Sequence, residues 1–448
     1  MTRLLGAIVR FMLFCAVYAE GTALANGRFP RAQQIVSTPG DPSRVFLRAT
    51  FGVVASFDGG TTWRWLCEDA IGFSGTWDPP VAATRDGRLW MGLEHGLSWT
   101  IDACNVHAIP SVAGELVSDV SADGDGLLFA TSTHGKPAAI WRATGDTARH
   151  TGATLDGFYI DTLDAAGARI YATGVPAGAK VAPHIFRSDD YGATLHELHP
   201  TWPTQGRLYL AAIDPKNASR VLVRQLSANG SDLLLSEDAG ATFAVVLHMK
   251  GAMFGFAQSD DGHEVWAGSG DADEGLWRST DRGRTFAPVA KAPVFCLHAT
   301  PQKLFTCSNP FTENGYALGI STDEGATLKP LIGFADVAGP VACDGGAGVS
   351  CGKSWSAMHA TLTTQTAAPA PSAAPSADAA APAPSPRSFG SERSTCGCGI
   401  SAGSVWPGAP LLALLGALVA RRRRSRANAK TGSEADQHDA PPDPGRAR

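Results

Sequence analysis

The stretch SFDGGTTW, residues Ser56 to Trp63, returns four more times along this chain. The copies read SDDYGATL, SEDAGATF, STDRGRTF and STDEGATL, and they begin at residues 188, 236, 279 and 321. All five follow the pattern Ser-x-Asp-x-Gly-x-Thr-apolar. In such a segment the Asp carboxylate and the two hydroxyls can bind backbone N–H groups of their own loop, while the Gly supplies a left-handed backbone. The pattern therefore predicts a tight β-hairpin loop that recurs along the chain.

The spacing of the copies predicts the number of units. Their central aspartates are Asp58, Asp190, Asp238, Asp281 and Asp323. Weaker copies stand in the long gap between the first two, at Asp102 in TIDACNV and at Asp146 in TGDTARH. The seven aspartates then lie 44, 44, 44, 48, 43 and 42 residues apart, which is the length of one four-stranded propeller blade. Seven short β-rich runs, one ahead of each aspartate, support the same count.

The repeated pattern resembles the Asp-box, or bacterial neuraminidase repeat, of β-propellers, and the resemblance covers most of the chain. It implies an all-β fold, a single seven-bladed β-propeller with Asp-box hairpins, over residues 26–362. It also implies a structural role for the seven aspartates, because each is used by its own turn. We therefore expect no catalytic residue among them.

Composition excludes one large class of function. The 448 residues include 50 glycines, 18% are charged, and the formal net charge is −5. A turn-rich β-protein fits these values, whereas a nucleic-acid-binding protein would carry a basic footprint that is missing here. No cofactor motif occurs, and no group of cysteines and histidines has metal-ligand spacing. We therefore predict no nucleic-acid partner, no cofactor and no metal.

The two ends of the chain predict export. Residues 1–25 combine early arginines, an apolar run and the Ala23-Leu24-Ala25 cleavage pattern of a secretory signal peptide.

The six cysteines of the propeller agree with an oxidising compartment and are predicted to form disulfides. Cys296 and Cys307 are equidistant from a turn and should pair across a hairpin. Cys343 and Cys351 are close across a Gly-rich loop and are predicted to pair, which leaves Cys67 with Cys104 by elimination.

The C-terminal part predicts a stalk and an anchor. An Ala/Pro/Ser-rich linker covers residues 363–395, followed by Cys396 and Cys398, an apolar run at 400–420, four arginines to residue 424 and a polar tail at 425–448. Residues 396–424 resemble the myxobacterial C-terminal sorting signal. That resemblance implies cleavage by a sorting protease and display on the cell surface or outer membrane, anchored at the cysteine. The alternative is a permanent transmembrane helix that holds the propeller at the inner membrane, facing the periplasm.

The loops opposite the repeated turns are the predicted ligand face. Variable loops on a rigid scaffold often carry function, and these hold aromatic and acidic residues. The candidates are Trp77, Trp202, Tyr316, Asp271, Asp273 and Glu274. The alternative is that these side chains only cap the ring.

Two classes of function remain open from the sequence. Resemblance to sortilin ectodomains and photosystem II assembly factors implies a non-catalytic binding or assembly platform, with an extracellular protein or a glycan as its ligand. Resemblance to sialidases and xyloglucanases implies a secreted glycoside hydrolase. The segment GRFPR (residues 27–31) lacks the Arg-Ile-Pro motif of sialidases, and xyloglucanases use two propellers. The binding platform is therefore the preferred prediction.

Overall fold

The computed structural model describes residues 29–73, 77–177, 182–311 and 315–366. The predicted signal peptide, the sorting segment with Cys396 and Cys398, and all but the first residues of the linker lie outside these ranges. In the described part of the chain, no helix is both long enough and apolar enough to cross a membrane.

Seven four-stranded antiparallel sheets make up the fold, and each sheet uses four consecutive strands. The first strands of neighbouring sheets contact one another in cyclic order, and that of the seventh sheet contacts that of the first. This arrangement confirms the seven-bladed β-propeller. The strands of blades 1 to 3 are β1 Ala32–Thr38, β2 Asp41–Ala49, β3 Gly52–Ser56 and β4 Arg64–Cys67; β5 Val81–Ala83, β6 Leu89–Leu93, β7 Gly96–Thr100 and β8 His107–Ala108; and β9 Val117–Asp123, β10 Gly126–Thr131, β11 Ala138–Thr144 and β12 Thr147–Leu155.

Blades 4 to 7 repeat the same plan. Their strands are β13 Phe158–Ala166, β14 Arg169–Pro176, β15 His184–Ser188 and β16 His196–Leu198; β17 Arg207–Asp214, β18 Asn217–Ser227, β19 Gly230–Ser236 and β20 Ala244–Met249; β21 Met253–Gln258, β22 Val265–Ser269, β23 Leu276–Ser279 and β24 Ala287–Ala290; and β25 Cys296–Ala299, β26 Leu304–Cys307, β27 Leu318–Ser321 and β28 Lys329–Ile332. Helical segments are Glu68–Ile71, the 3-10 turns Pro110–Val112 and Phe334–Asp336, and the C-terminal helix Gly346–Thr366.

The middle strands of the blades are buried on both faces, as in β3 and β6, where every residue is inaccessible. Apolar side chains of adjacent blades pack between the sheets in several clusters, the largest of which joins blades 1, 2 and 7 with the C-terminal segment. Such double burial explains why the strands read as apolar runs rather than as alternating patterns.

A C-terminal arm follows blade 7, and we use this name for residues 334–366. Phe334 packs edge-on against Phe51 of blade 1, with ring centroids 5.0 Å apart. Next, the backbone runs parallel to β4, where Val341 N–H donates to the Trp65 carbonyl at 2.9 Å and Trp65 N–H donates to the Gly339 carbonyl at 2.8 Å. The C-terminal helix then packs against β4 and the helix Glu68–Ile71.

Three disulfides occur among the six cysteines, and only one of them has the predicted partners. Cys296 and Cys307 are bonded across a hairpin, in register on β25 and β26, which confirms that pair. The predicted pairs Cys343–Cys351 and Cys67–Cys104 are wrong. The bonds instead join Cys67 to Cys351 and Cys104 to Cys343. The physical reason is the arm, because its path along β4 places Cys343 beside blade 2 and Cys351 beside the end of β4.

Candidate functional site

The loops between the third and fourth strands of each blade define one face of the ring. We call them the repeat loops, and their side the repeat-loop face. In blade 5, Ser236 Oγ accepts from Gly240 N–H at 2.8 Å and donates to Asp238 Oδ1 at 2.8 Å. The same carboxylate accepts from Thr242 N–H at 2.9 Å and from Thr242 Oγ1 at 2.6 Å. The predicted hairpin loop is therefore closed by its own side chains.

These contacts fix the charge of the repeat-loop aspartates. Hydrogen bonds from the Thr242 hydroxyl and backbone lower the pKa of Asp238 to about 2. The pKa is also about 2 for the four aspartates in equivalent loops, Asp58, Asp190, Asp281 and Asp323. Each carboxylate is thus a stable anion that is used by its own turn, and none of them can hold a proton for acid catalysis at neutral pH.

The loop of blade 2 is one residue shorter. Thr100 Oγ1 accepts from Ala103 N–H, three residues on, at 3.0 Å, whereas the Ser of the other loops accepts from a residue four positions on. Asp102 accepts from Cys104 N–H at 2.8 Å and from Asn105 N–H at 2.9 Å. The weak copy predicted at Asp102 therefore forms a related loop, in which Cys104 stands close to the position of the lost Gly.

Blade 3 has no such loop, and the prediction at Asp146 is wrong. Thr144 pairs directly with Thr147, so that Gly145 and Asp146 form a two-residue turn. The side chain of Asp146 is 76% exposed and lies 3.6 Å from Arg88 Nη2. The spacing of 44 residues located the correct connection between strands, but this turn is too short for the carboxylate to bind a following backbone.

The predicted ligand face differs from expectation in its aromatic residues. Trp77 is 5% exposed and Tyr316 is 6% exposed, so both belong to the interior rather than to a ligand surface, and the prediction is wrong for them. The indole N–H of Trp77 donates to the Gly92 carbonyl at 3.4 Å. Trp202 is half-buried and stacks on Phe243 with ring centroids 5.0 Å apart. These side chains fill the gaps beneath loops, which is the capping role left open by the sequence.

The acidic candidates of that face divide into two groups. Glu274 accepts from Gly251 N–H at 2.8 Å and from Ser269 Oγ at 3.0 Å, and therefore ties its loop to the connection between blades 5 and 6. Asp271 and Asp273 are exposed. A ligand role for these two stays a prediction. In the described ranges, no three His, Cys, Asp or Glu side chains are grouped so as to hold a metal ion.

Buried charges line the inner strands of blades 3 to 5. Asp161 is 2% exposed and forms a two-point ion pair with Arg207, whose Nε lies 2.8 Å from Asp161 Oδ2. Asp119 accepts from Leu163 N–H at 2.9 Å. Burial raises the pKa of Asp119 to about 8, and the carboxylates of Asp164 and Asp161 add to this effect. Burial also raises the pKa of Asp164, against a hydrogen bond from Ser121.

Two clefts on the repeat-loop face are lined by described residues, and sequence reasoning missed both. The first, which we call the seam cleft, lies between blades 7 and 1 and has a volume of about 390 Å³. Its lining is Ser37, Pro42, Ser43, Val45, Asp58, Gly59, Thr300, Gln302, Lys303 and Phe305. At its wall, Ser37 Oγ lies 2.7 Å from His298 Nε2. Burial lowers the pKa of His298 to about 4, so the imidazole is neutral at pH 7.

The second cleft, the edge cleft, lies between blades 1 and 2 and has a volume of about 320 Å³. It is lined by the loops of both blades and by Val341 and Ala342 of the arm. Phe57 stands on its rim with 39% of its surface exposed. No local sequence motif could have predicted either cleft, because each is lined by segments that are distant in sequence.

Comparison with known proteins identifies no family for this chain. No protein-family model matches the sequence, and no curated protein matches it. Among solved structures, the chain is similar to the GH74 enzyme of Niastella koreensis, with 12% identity, coverage of 66% of this chain and 65% of that chain, and a TM-score of 0.39. The chain thus spans less than two thirds of the length of that enzyme.

Two shorter propellers are also similar. YCF48 from Cyanidioschyzon merolae has 16% identity, coverage of 62% of this chain and 92% of that chain, and a TM-score of 0.44. U3-55K has 14% identity, coverage of 63% and 90%, and a TM-score of 0.46. All three TM-scores are below 0.5, so neither the fold nor a ligand is argued from these likenesses.

Proposed function

We propose that this protein is a non-catalytic binding platform, exported and displayed on the cell surface, which takes its ligand on the repeat-loop face. The supporting observation is the course of the C-terminal arm. Its helix begins beside Cys104 in the repeat loop of blade 2, where Ala347 N–H donates to the Cys104 carbonyl at 3.0 Å. It continues past Cys351, bonded to Cys67 at the far end of β4, and packs on the helix Glu68–Ile71.

The direction of this helix decides which face is presented. Because β4 begins at a repeat loop and ends at the opposite face, the helix runs toward that opposite face. The described part of the chain therefore ends, at residue 366, toward that opposite face. A ring held by that side presents its repeat loops and both clefts to the surroundings. The proposal thus moves the ligand site from the loops predicted by the sequence to the other face.

The seam cleft has the character of a ligand site. Its volume of about 390 Å³ lies within the ordinary range for small-ligand pockets, roughly 300 to 1,000 Å³. The Gln302 amide and the Lys303 ammonium offer hydrogen bonds, and Phe305 offers an aromatic surface. The hydroxyls of Ser37 and Thr300 are already bonded to His298 and to the backbone of Lys303. This mixture suits a polar segment of an extracellular protein or a glycan. The proposed partners are therefore such a ligand, the membrane through the C-terminal segment, and a sorting protease.

A glycoside hydrolase is supported less well. Such enzymes need two carboxyl groups beside the bond that is cleaved, one of them usually protonated as the acid. Asp58 lines both clefts, but its pKa is about 2. In the edge cleft, hydrogen bonds from Asn105 and Cys104 outweigh burial and keep the pKa of Asp102 low as well. Neither cleft therefore offers a carboxylic acid at neutral pH.

Glycan and peptide arrays, probed with residues 26–366, test the proposal. Lys303→Ala should weaken binding of any ligand found, whereas the matched control Asp271→Ala/Asp273→Ala on the opposite face should leave it unchanged. Hydrolysis of aryl sialosides and β-glucans is measured in parallel. Binding that is lost only in the control variant, or turnover of either substrate, would contradict the proposal.

A further inference from the structure

The contact between blades 7 and 1, which we call the seam, contains no shared strand. Each of the seven sheets consists of four consecutive strands, so within the described residues blades 7 and 1 share no strand, and the pairing between the two ends is the parallel bridge of the arm to Trp65. Across the inner part of the seam, blades 7 and 1 meet through side chains. Ser37 meets His298 at 2.7 Å, and the Arg31 guanidinium lies 4.4 Å from the Phe295 ring centre. Backbone and covalent links between these two blades have to come from outside this inner part.

The C-terminal arm supplies that connection, since it starts at the end of blade 7 and is attached to blades 1 and 2. Its parallel pairing extends the outer edge of blade 1 through Val341. The Cys67–Cys351 bond spans 284 residues and the Cys104–Cys343 bond spans 239, so together they enclose most of the propeller. The Cys296–Cys307 bond spans 11 residues within blade 7 and holds nothing across the seam.

Burial shows that the arm is part of the core. Phe334, Cys351 and Leu362 are completely buried, and Met358 is 4% exposed. The Trp355 ring lies 5.7 Å from the ring of Trp65, the residue whose backbone pairs with the arm. The arm is thus fastened by apolar contacts, by backbone hydrogen bonds and by two covalent bonds, all directed at the first two blades.

We propose that the C-terminal arm is a disulfide-locked clasp that closes the ring, taking the place of strand exchange at the seam. The inference is independent of the proposed function, because it involves neither a ligand nor the membrane anchor. Loss of the two long-range bonds allows the arm to leave β4. Blades 7 and 1 then separate transiently while blades 3 to 5, which lie away from the seam, stay folded. The two disulfides of the clasp form in an oxidising compartment, and their formation therefore locks the ring closed.

Hydrogen exchange followed by mass spectrometry tests the clasp on the full exported chain. The test variant carries Cys67→Ser, Cys351→Ser, Cys104→Ser and Cys343→Ser. Amides of the arm, β4 and β25 should exchange at least about tenfold faster than in the wild type, and those of blade 4 should not change. The matched control is Cys296→Ser/Cys307→Ser, which removes a disulfide without touching the arm. It should leave the protection of the arm and β4 at the wild-type level.

Two further measurements keep the test decisive if the four-cysteine variant does not fold. Reduction of the folded wild-type protein should produce the same local increase in exchange. Val341→Pro removes the amide that donates to Trp65 while both disulfides remain, and should increase exchange only in the arm and β4. Unchanged protection after reduction, or an equal increase in all seven blades, would overturn the clasp.

Discussion

Replacement of Asp119 by Asn should stabilise this protein, and the gain should grow with pH. Asp119 is 7% exposed, and its pKa is raised from 3.8 to about 8. The folded protein therefore holds a proton that the unfolded chain releases above pH 3.8. When the pKa of a carboxyl group is higher in the folded state than in the unfolded state, its contribution to stability is complete below the unfolded-state pKa. This contribution is lost as pH rises toward the folded-state pKa.

The size of the effect follows from this shift. Each pKa unit corresponds to about 1.4 kcal/mol. At pH 5 the group should reduce the free energy of unfolding by about 2 kcal/mol, and at pH 7 by about 4 kcal/mol. Asn keeps a carbonyl oxygen that can accept from Leu163 N–H, but it has no proton to lose. The variant should therefore gain about 2 to 3 kcal/mol over the wild type between pH 5 and pH 7.

Urea unfolding of both proteins at pH 5, 6 and 7 measures this difference. Asp161→Asn is the matched control, because Asp161 lies on the neighbouring inner strand but is paired with Arg207. Breaking a buried ion pair costs about 3 to 5 kcal/mol, so this variant should be less stable at every pH. A gain from Asp119→Asn that does not vary with pH, or a loss of stability at pH 7, would refute the reasoning.

Three other predictions concern single residues. Asp281→Ala removes the hydrogen bonds that close its repeat loop and should lower the melting temperature by about 2 °C, whereas Asp146→Ala should leave it unchanged; equal effects in calorimetry would contradict the loop assignment. His298 has a lowered pKa of about 4, so the stability it contributes is complete above pH 6.5 and is lost as pH falls toward 4. His298→Gln should therefore make the melting temperature less dependent on pH between 6.5 and 4, and an unchanged dependence would exclude the buried imidazole as its cause. Trp77→Ala should cost about 3 to 5 kcal/mol in urea unfolding, and a loss below about 1 kcal/mol would place Trp77 on the surface after all.

The local part of this fold could be predicted from the sequence because each blade repeats the same short-range physics. A Ser, an Asp, a Gly and a Thr within seven positions determine a hairpin, as the contacts of Asp238 demonstrate. The Cys296–Cys307 bond was predictable for the same reason, since both residues belong to one hairpin. The spacing of 44 residues between repeats was a weaker predictor of loop structure. It placed Asp146 between the correct strands, yet could not tell a seven-residue loop from a two-residue turn.

The predictions that failed depend on contacts between distant segments. Trp77 lies in a connecting segment that reads as an exposed loop, and only its packing against blade 2 reveals that it is buried. The sequence favoured a bond between Cys343 and Cys351, because the two residues are close in sequence. Their true partners became reachable only because the arm returns to blades 1 and 2. The clefts were missed for the same reason, since Ser37 and Lys303 meet only when the ring closes.

Under the two proposals above, closure of the ring and the shape of both clefts depend on one segment, the C-terminal arm. The seam cleft exists only while blades 7 and 1 are adjacent, and the arm holds them together. Val341 and Ala342 of the same arm form a wall of the edge cleft. Release of the arm would thus alter both clefts. Binding in either cleft should therefore be lost on reduction, and binding that survives reduction would place the ligand outside both clefts.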